Sequence, residues 1–384
     1  MRIRRVVTYP VDAGVGGWLF VKVESDDPDL YGWGEAGLRL KVRPVRAEIE
    51  DLSDLIAGED PLRTEHLWQL MYRQHARGGL VTMAAIAGID QALWDLKARA
   101  LGVPLYELLG GRVRDRVRVY EHVETRLRDF DRQRPESFGE AARQCVADGF
   151  DALKIYPIPF KGRLDGHRAV RRAAEVVGAV RDAVGEEIDL MVDLHGRTFP
   201  ALAVQFAKAL EPYELLFLEE PCQPENVSAL AEVARSTTIP IATGERLANR
   251  WDFARVLEAG ACSIVQPDVS HCGGITEFRR IVEIAQLHFA NVAPHNPYGP
   301  IAAMHHVHLA TAMPNLLILE QLRDDVQWRD DVVTAPLEFA DGAVCPSDRP
   351  GIGIDVVEDV CLAHPYVARP RDVPLAPDGA VLDD

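Results

Sequence analysis

IDLMVDLHGRTFPALAVQFAKALEPYELLFLEEP (188–221) reads as a short apolar run, a helical pattern and a second short apolar run, each run closing on acidic residues. Apolar runs of about four to eight residues alternating with helical segments mark βα units around a parallel sheet. The unit recurs in both directions. Upstream lie VRVYEHV (117–123) and ALKIYP (152–157); downstream lie IPIATGE (239–245), SIVQPD (263–268), NVAPHN (291–296) and LLILEQ (316–321). Eight such runs predict a closed barrel.

In nearly every run a charged or imidazole group appears only at the C-terminal end. Barrel enzymes build their sites at that face. The groups Asp193, Glu219, Glu245, Asp268, His295 and Glu320 follow one another at intervals of 26, 26, 23, 27 and 25 residues. Each interval is one strand-plus-helix unit, so all six should converge on one mouth. The longer step from Lys154 to Asp193 leaves room for an inserted loop, PIPFKGRLDG (157–166), beside that mouth.

Residues 1–115 read differently. Strand-like RIRRVVTYPVD and WLFVKVES, a YGWGE turn and helical stretches around 43–57, 62–75 and 82–101 describe a separate α+β unit. The barrel occupies 116–339, and the irregular Pro/Asp-rich tail, 340–384, is expected to return to the first unit.

Composition narrows the function. In 384 residues, 42 basic against 59 acidic side chains leave a net charge of −17 without a basic run, which argues against a nucleic-acid partner. A small anionic substrate would need local positive charge, a metal for example, to bind against that field. Six scattered cysteines without a CxxC pair predict reduced thiols. No stretch approaches the roughly 18 apolar residues of a membrane span, so no membrane contact and a cytoplasmic location are expected.

Three carboxylates closing successive strands, Asp193, Glu219 and Glu245, would repel one another unless a cation sat between them, and hard Mg²⁺ or Mn²⁺ favours such oxygen donors. Glu219 competes with Glu220, since neighbouring strand residues face opposite sides. His195 stands two positions beyond Asp193, on the same face. His295 and Asp268 close neighbouring runs, and a carboxylate on one imidazole nitrogen makes the other a better base. Lys154 would neutralise a substrate carboxylate, and Glu320 would donate to it if held protonated. The histidines of MHHVHL (304–309) are expected to pack in a helix, and Gly78-Gly79 and Gly273-Gly274 to make turns.

At these residues the chain resembles the enolase superfamily, and within it the mandelate racemase group, especially acid-sugar dehydratases of the D-galactonate type. The motifs are YGWGE (31–35), AIAGIDQALWDLKA (85–98), VDLHGR (192–197), GERL (244–247), QPDVSHCGGITE (266–277), APHNPYGPIA (293–302) and PGIGID (350–355). The resemblance implies an α+β capping domain on a (β/α)7β TIM-like barrel, with Asp193, Glu219 and Glu245 as magnesium ligands. It further implies a catalytic dyad of Asp268 and His295, His195 as the acid, and Glu320 as the strand-eight glutamate. A homo-oligomer, octamer or dimer, follows from the same source. The chain departs at Lys154-Ile155-Tyr156, where many relatives carry Lys-x-Lys, and in VDAGVGGW (11–18), QHARGG (74–79) and 121–135. Val15 to Trp18, small residues leading to an indole, are expected to close over the substrate. The implied reaction removes the C2 proton of a sugar acid and expels the 3-hydroxyl. Its rivals are C2 racemisation or epimerisation, and a catalytically silent metal or sugar-acid binder.

Overall fold

The computed structural model describes residues 1–384 other than 15, 75–77, 126, 128, 160–163, 165, 324, 370–372, 374, 377 and 383–384. The first unit opens with β1 (Ile3–Val11), β2 (Trp18–Ser25) and β3 (Tyr31–Glu35), an antiparallel sheet in that order. Behind it pack α1 (Val42–Ile56), α2 (Thr64–Tyr72), α3 (Leu80–Leu101) and the short α4 (Leu105–Leu108). Helix α1 buries Val42, Val45, Ile49, Leu52 and Ile56, the one-sided spacing of an amphipathic helix. Helix α3 is buried on nearly every side and ends at Gly102 in the left-handed conformation, φ 69°. Strand β3 lies flush on α3 because Gly32 and Gly34 carry no side chain. A Cβ there would come 2.0 Å from the Ala92 carbonyl oxygen and 2.1 Å from that of Gly88.

The barrel follows as β4 (Val117–His122), α5 (Pro135–Ala147), β5 (Ala152–Ile155), α6 (His167–Val184), β6 (Asp189–Asp193), α7 (Pro200–Leu210), β7 (Phe217–Glu219) and α8 (Val227–Arg235). It continues through β8 (Ile241–Thr243), α9 (Arg250–Glu258), β9 (Ile264–Val265), α10 (Gly274–Leu287), β10 (Asn291–Val292), α11 (Pro300–Ala312) and β11 (Leu319–Glu320). Strands β4 to β10 pair in sequence as parallel neighbours, and β11 pairs with β4. A bridge from Val292 to Leu316 closes the ring, so the expected (β/α)7β barrel is the fold.

One buried cluster fills the interior: Tyr120, Ala152, Met191, Phe217, Ala242, Ile264, Ala293 and Ile318, one residue from each of the eight runs. Three alanines, Ala152, Ala242 and Ala293, stand among five large side chains, which together fill the barrel interior. This layer fixes which residues point into the mouth, because side chains two positions further along each run face the same way.

After β11 the chain forms a hairpin, β12 (Phe339–Ala340) and β13 (Ala343–Val344), whose second strand pairs antiparallel with Val117 and Arg118 of β4. Residues 343–344 therefore lie on the barrel. The cap is reached later: Asp95 on α3 accepts from the Ile352 and Trp33 amides at 2.7 and 2.8 Å, and Arg99 donates to the Ile354 carbonyl at 2.7 Å. Helix α12 (Glu358–Ala363) places Glu358 on the Tyr9 hydroxyl at 2.6 Å.

Candidate active site

Between the barrel mouth and the cap lies a cavity of about 1170 Å³. Two positions beyond the interior layer stand His122, Lys154, Asp193, Glu219, Gln266, His295 and Glu320, and just after β8 Gly244 followed by Glu245. A single period of two therefore gathers most of the polar groups on one floor.

The acidic side of the floor is tight. One oxygen each of Asp193 and Glu245 and a ring nitrogen of His195 lie within 4.8 Å of one another. Glu219 stands beside them on β7, with Oε2 held by the Lys154 ammonium at 2.9 Å and Oε1 buried without a partner. Burial, reinforced by the neighbouring carboxylates against Lys154, pushes Asp193 up to about 6 and Glu219 up to about 7. The orphaned oxygen and this mutual repulsion fit a hard divalent cation. Glu220 turns away with φ 39° and accepts from Arg246 Nε at 2.6 Å, leaving Glu219 as the inward member of the pair.

Two imidazoles face the two oxygens of Glu245. His195 Nε2 is 3.9 Å from Oε1 and His295 Nε2 is 3.7 Å from Oε2. His295 Nδ1 lies 2.8 Å from Asp268, which is buried and also accepts from the Ser270 amide at 2.7 Å. Burial alone would raise the Asp268 carboxyl, but His271, His295 and His306 around it hold it far below the carboxylate range. Asp268 is therefore the acceptor and His295 Nδ1 the donor. Burial alone would lower the His295 ring, yet Glu245, Asp268 and Glu320 raise it to about 10. His195 has no carboxylate on Nδ1; the Tyr156 hydroxyl lies there at 3.2 Å. Burial lowers His195 to about 4 and raises Tyr156 to about 12, so both are neutral and the phenol has a proton that it can give to Nδ1. With the phenol as donor, the tautomer carries Nε2–H toward the cavity.

Glu320 departs from expectation. Its Oε1 contacts His122 Nε2 at 2.7 Å and Lys154 Nζ at 3.1 Å, and its Oε2 accepts from the Asn296 amide at 2.6 Å. Although burial opposes it, Lys154 and the His122 hydrogen bond hold the carboxyl well below its usual range. Glu320 is thus ionised, not a protonated donor. Lys154 is 3% exposed and bridges Glu219 to Glu320.

Trp18 also differs from its expected part. It lines the cavity but is 2% exposed at the start of β2, packed on Phe20 with the Arg329 guanidinium 5.5 Å from its ring. The indole is wall rather than flap, and Ala13, Gly14, Gly16 and Gly17 supply the adjoining surface. Val15 and half of the proposed 157–166 loop lie outside the described residues. Sequence reading missed His122, Arg246 and His271. The interior register gives His122 directly; no spacing signal marks the other two.

The cap is locked to this mouth by buried polar side chains. Glu35, from YGWGE, accepts from the Gly299 and Ala302 amides at 2.7 and 2.9 Å, capping α11 just beyond His295. Asp90 on α3 accepts from Thr276 at the start of α10, through the amide at 2.9 Å and the hydroxyl at 2.7 Å. The three histidines of α11 pack as expected: His305 contacts the Trp33 carbonyl at 2.9 Å, and His308 lies between the Tyr106 amide and the Ile352 carbonyl.

Fold and site together define a capped barrel whose mouth gathers buried carboxylates and imidazoles, a set that could hold a metal ion. Residues 14–110 match the mandelate racemase / muconate lactonizing enzyme N-terminal domain, and 137–360 the enolase C-terminal domain-like family. The chain belongs to this family, in the enolase superfamily. It is 38% identical to a D-galactonate dehydratase of Pectobacterium atrosepticum over the whole of both chains, and 41% identical to one of Ralstonia pickettii over 93% of each. An enolase of Agrobacterium radiobacter, solved with sodium and L-malate bound, superposes with a TM-score of 0.90 at 33% identity over all of both chains. A mandelate racemase/muconate lactonizing enzyme of Jannaschia sp. gives 0.89 at 32%, over 96% of this chain and 99% of that one. The protein is an enzyme of the hydro-lyase class, a dehydratase. Among the described residues, no helix is long and apolar enough to cross a membrane.

Proposed function

We propose that this dehydratase acts on a sugar acid, abstracting the proton at C2 and eliminating the 3-hydroxyl to give a 2-keto-3-deoxy acid, with D-galactonate the first substrate to test. The observation that carries the reading is the placement of two differently supported imidazoles on the two oxygens of Glu245, one backed by Asp268 and the other by Tyr156. Asp193, Glu219 and Glu245 would hold Mg²⁺ or Mn²⁺, which when bound stabilises the charge that develops on the substrate carboxylate.

The remaining work falls to the chain. His295, aimed by Asp268, takes the C2 proton at Nε2 as a neutral ring; a cation held by Glu245 would offset the carboxylate charge that otherwise raises this ring to about 10. His195 offers Nε2–H to the departing hydroxyl; a neutral ring suffices because the leaving oxygen becomes strongly basic. Lys154 and Glu320 shape the carboxylate end, with His122 tethering Glu320. The cap excludes water, which strengthens each of these interactions. The relatives' D-galactonate activity supports this substrate choice.

The same pair of imidazoles favours a second reading, C2 epimerisation, in which both rings act as bases. Incubation with sugar acids and Mg²⁺ in D₂O separates the two. Dehydration gives a ketone, whereas epimerisation gives C2-deuterated acid and no ketone.

A further inference from the structure

The loop joining β1 to β2 forms the cap side of the cavity, through Ala13, Gly14, Gly16, Gly17 and Trp18. Gly14 and Gly17 adopt φ 70° and 84°, conformations that L side chains rarely enter. Within the loop the Gly14 amide donates to Asp12 Oδ1 at 3.1 Å, and the other bonds described for it come from elsewhere in the sequence. Val11 bridges antiparallel to Pro365, the Asp12 amide donates to the His364 carbonyl at 2.9 Å, and the Tyr366 amide donates to the Pro10 carbonyl at 3.1 Å. Arg369 then reaches back with both terminal nitrogens. Nη1 and Nη2 contact the two oxygens of Asp12 at 2.7 Å each, and Nη1 also donates to the Gly14 carbonyl.

The far side is held as well. Trp328, which follows the last barrel strand, donates from its indole to the Asp12 carbonyl at 3.0 Å and stacks on His364 with ring centroids 4.2 Å apart. The Tyr366 ring occupies the space beside Gly17, where a Cβ would sit 2.5 Å from its Cδ2. The loop is thus clasped between the post-barrel segment and residues 364–369.

We propose that residues 364–369 act as a strap that sets the position of the described cavity-lining loop residues, 12–14 and 16–17, with Arg369 as the positioning residue and substrate affinity as the property it controls. A bidentate guanidinium–carboxylate pair fixes direction as well as distance, and a lysine cannot reproduce it. Arg369 touches none of the groups assigned to proton transfer or metal binding, so its loss moves the loop and leaves the floor intact. The substrate part of this inference rests on the proposed sugar-acid activity; the loop part does not.

Arg369→Ala and Asp12→Asn test it in the full-length protein. Hydrogen exchange at the amides of residues 12–14 and 16–17 should quicken in both variants. KM for the sugar acid should rise roughly five-fold with kcat within about two-fold, the size that a partly exposed ion pair supports. Mg²⁺ affinity, measured by calorimetry, should match the parent and show that the barrel has folded. Arg369→Lys should recover part of the KM, and pairing Asp12→Arg with Arg369→Asp should recover more than either single reversal. Unchanged exchange in Arg369→Ala would overturn the strap. Faster exchange with an unchanged KM would overturn its role in substrate affinity. If the parent turns over no sugar acid, the proposed function fails and the exchange result still decides the strap.

Discussion

In the proposed reaction Glu245 joins the metal site to proton transfer, since each of its oxygens faces a different imidazole. Glu245→Gln keeps the shape and removes the charge. Loss of a supporting group outside the ligand set typically weakens metal binding 10- to 100-fold, so loss of this carboxylate should weaken Mg²⁺ by about 100-fold or more in a calorimetric titration. Division of labour gives a second expectation. His295→Asn should abolish C2 proton exchange, whereas His195→Asn should retain exchange and lose dehydration by roughly 10² to 10⁴, the usual share of one acid–base group. Equal loss of exchange in both variants would indicate two bases and an epimerase. Most of this constellation was legible in the sequence because strand-end charges recur at one βα interval. His122 was overlooked because its run also carries Glu121, and only the interior layer, with Tyr120 in it, shows which of the two points inward. The ionisation of Glu320 was illegible in principle, as it depends on Lys154 and His122 arriving from other strands.

At the scale of elements, the seam between α11 and β3 makes the cap part of the site. Glu35→Gln replaces an acceptor with a donor against a backbone N–H, which should cost about 1–3 kcal/mol in thermal or denaturant unfolding. Burial raises Glu35 from 4.5 to about 7 in the fold, against two backbone hydrogen bonds that lower it. Between those values the unfolded chain binds fewer protons than the native one, so stability falls as pH rises through the window. Asp90 acts in the same sense, and the contribution of Glu35 is the part of the slope missing in Glu35→Gln. The β1–β2 loop gives another expectation. Deleting Gly16 and Gly17 should raise KM and lower turnover for sugar acids while leaving Mg²⁺ affinity almost unchanged, measured by steady-state kinetics and calorimetry. Intact rates for every substrate would remove the loop from selectivity. The strands were readable because apolar runs and turn residues are local signals. The role of Trp18 was misread because glycine-rich sequence before an indole looks the same whether the ring closes a flap or plugs a wall. Only its contacts with Phe20 and Arg329 decide that.

For the whole molecule, the barrel with its packed core layer is the floor of the cavity, and the cap supplies the opposite wall. Fold class was the most legible property, because eight repeats of one pattern constrain topology far more than any single motif does. Substrate identity was the least legible, since it depends on the cap loop, the tail and post-barrel segments that clasp it, and their distance across a cavity of about 1170 Å³. The net charge of −17 sharpens the demand for a cation at the acidic floor. The most direct test is one incubation in D₂O of the full-length protein with Mg²⁺ and D-galactonate, alongside a panel of other aldonic and aldaric acids, followed by NMR with and without excess chelator. The expected result is a 2-keto-3-deoxy acid carrying solvent deuterium at C3, formed from at least one acid and lost when the metal is removed. Full activity in chelator, or C2-deuterated acid accumulating with no ketone from any substrate, would contradict it.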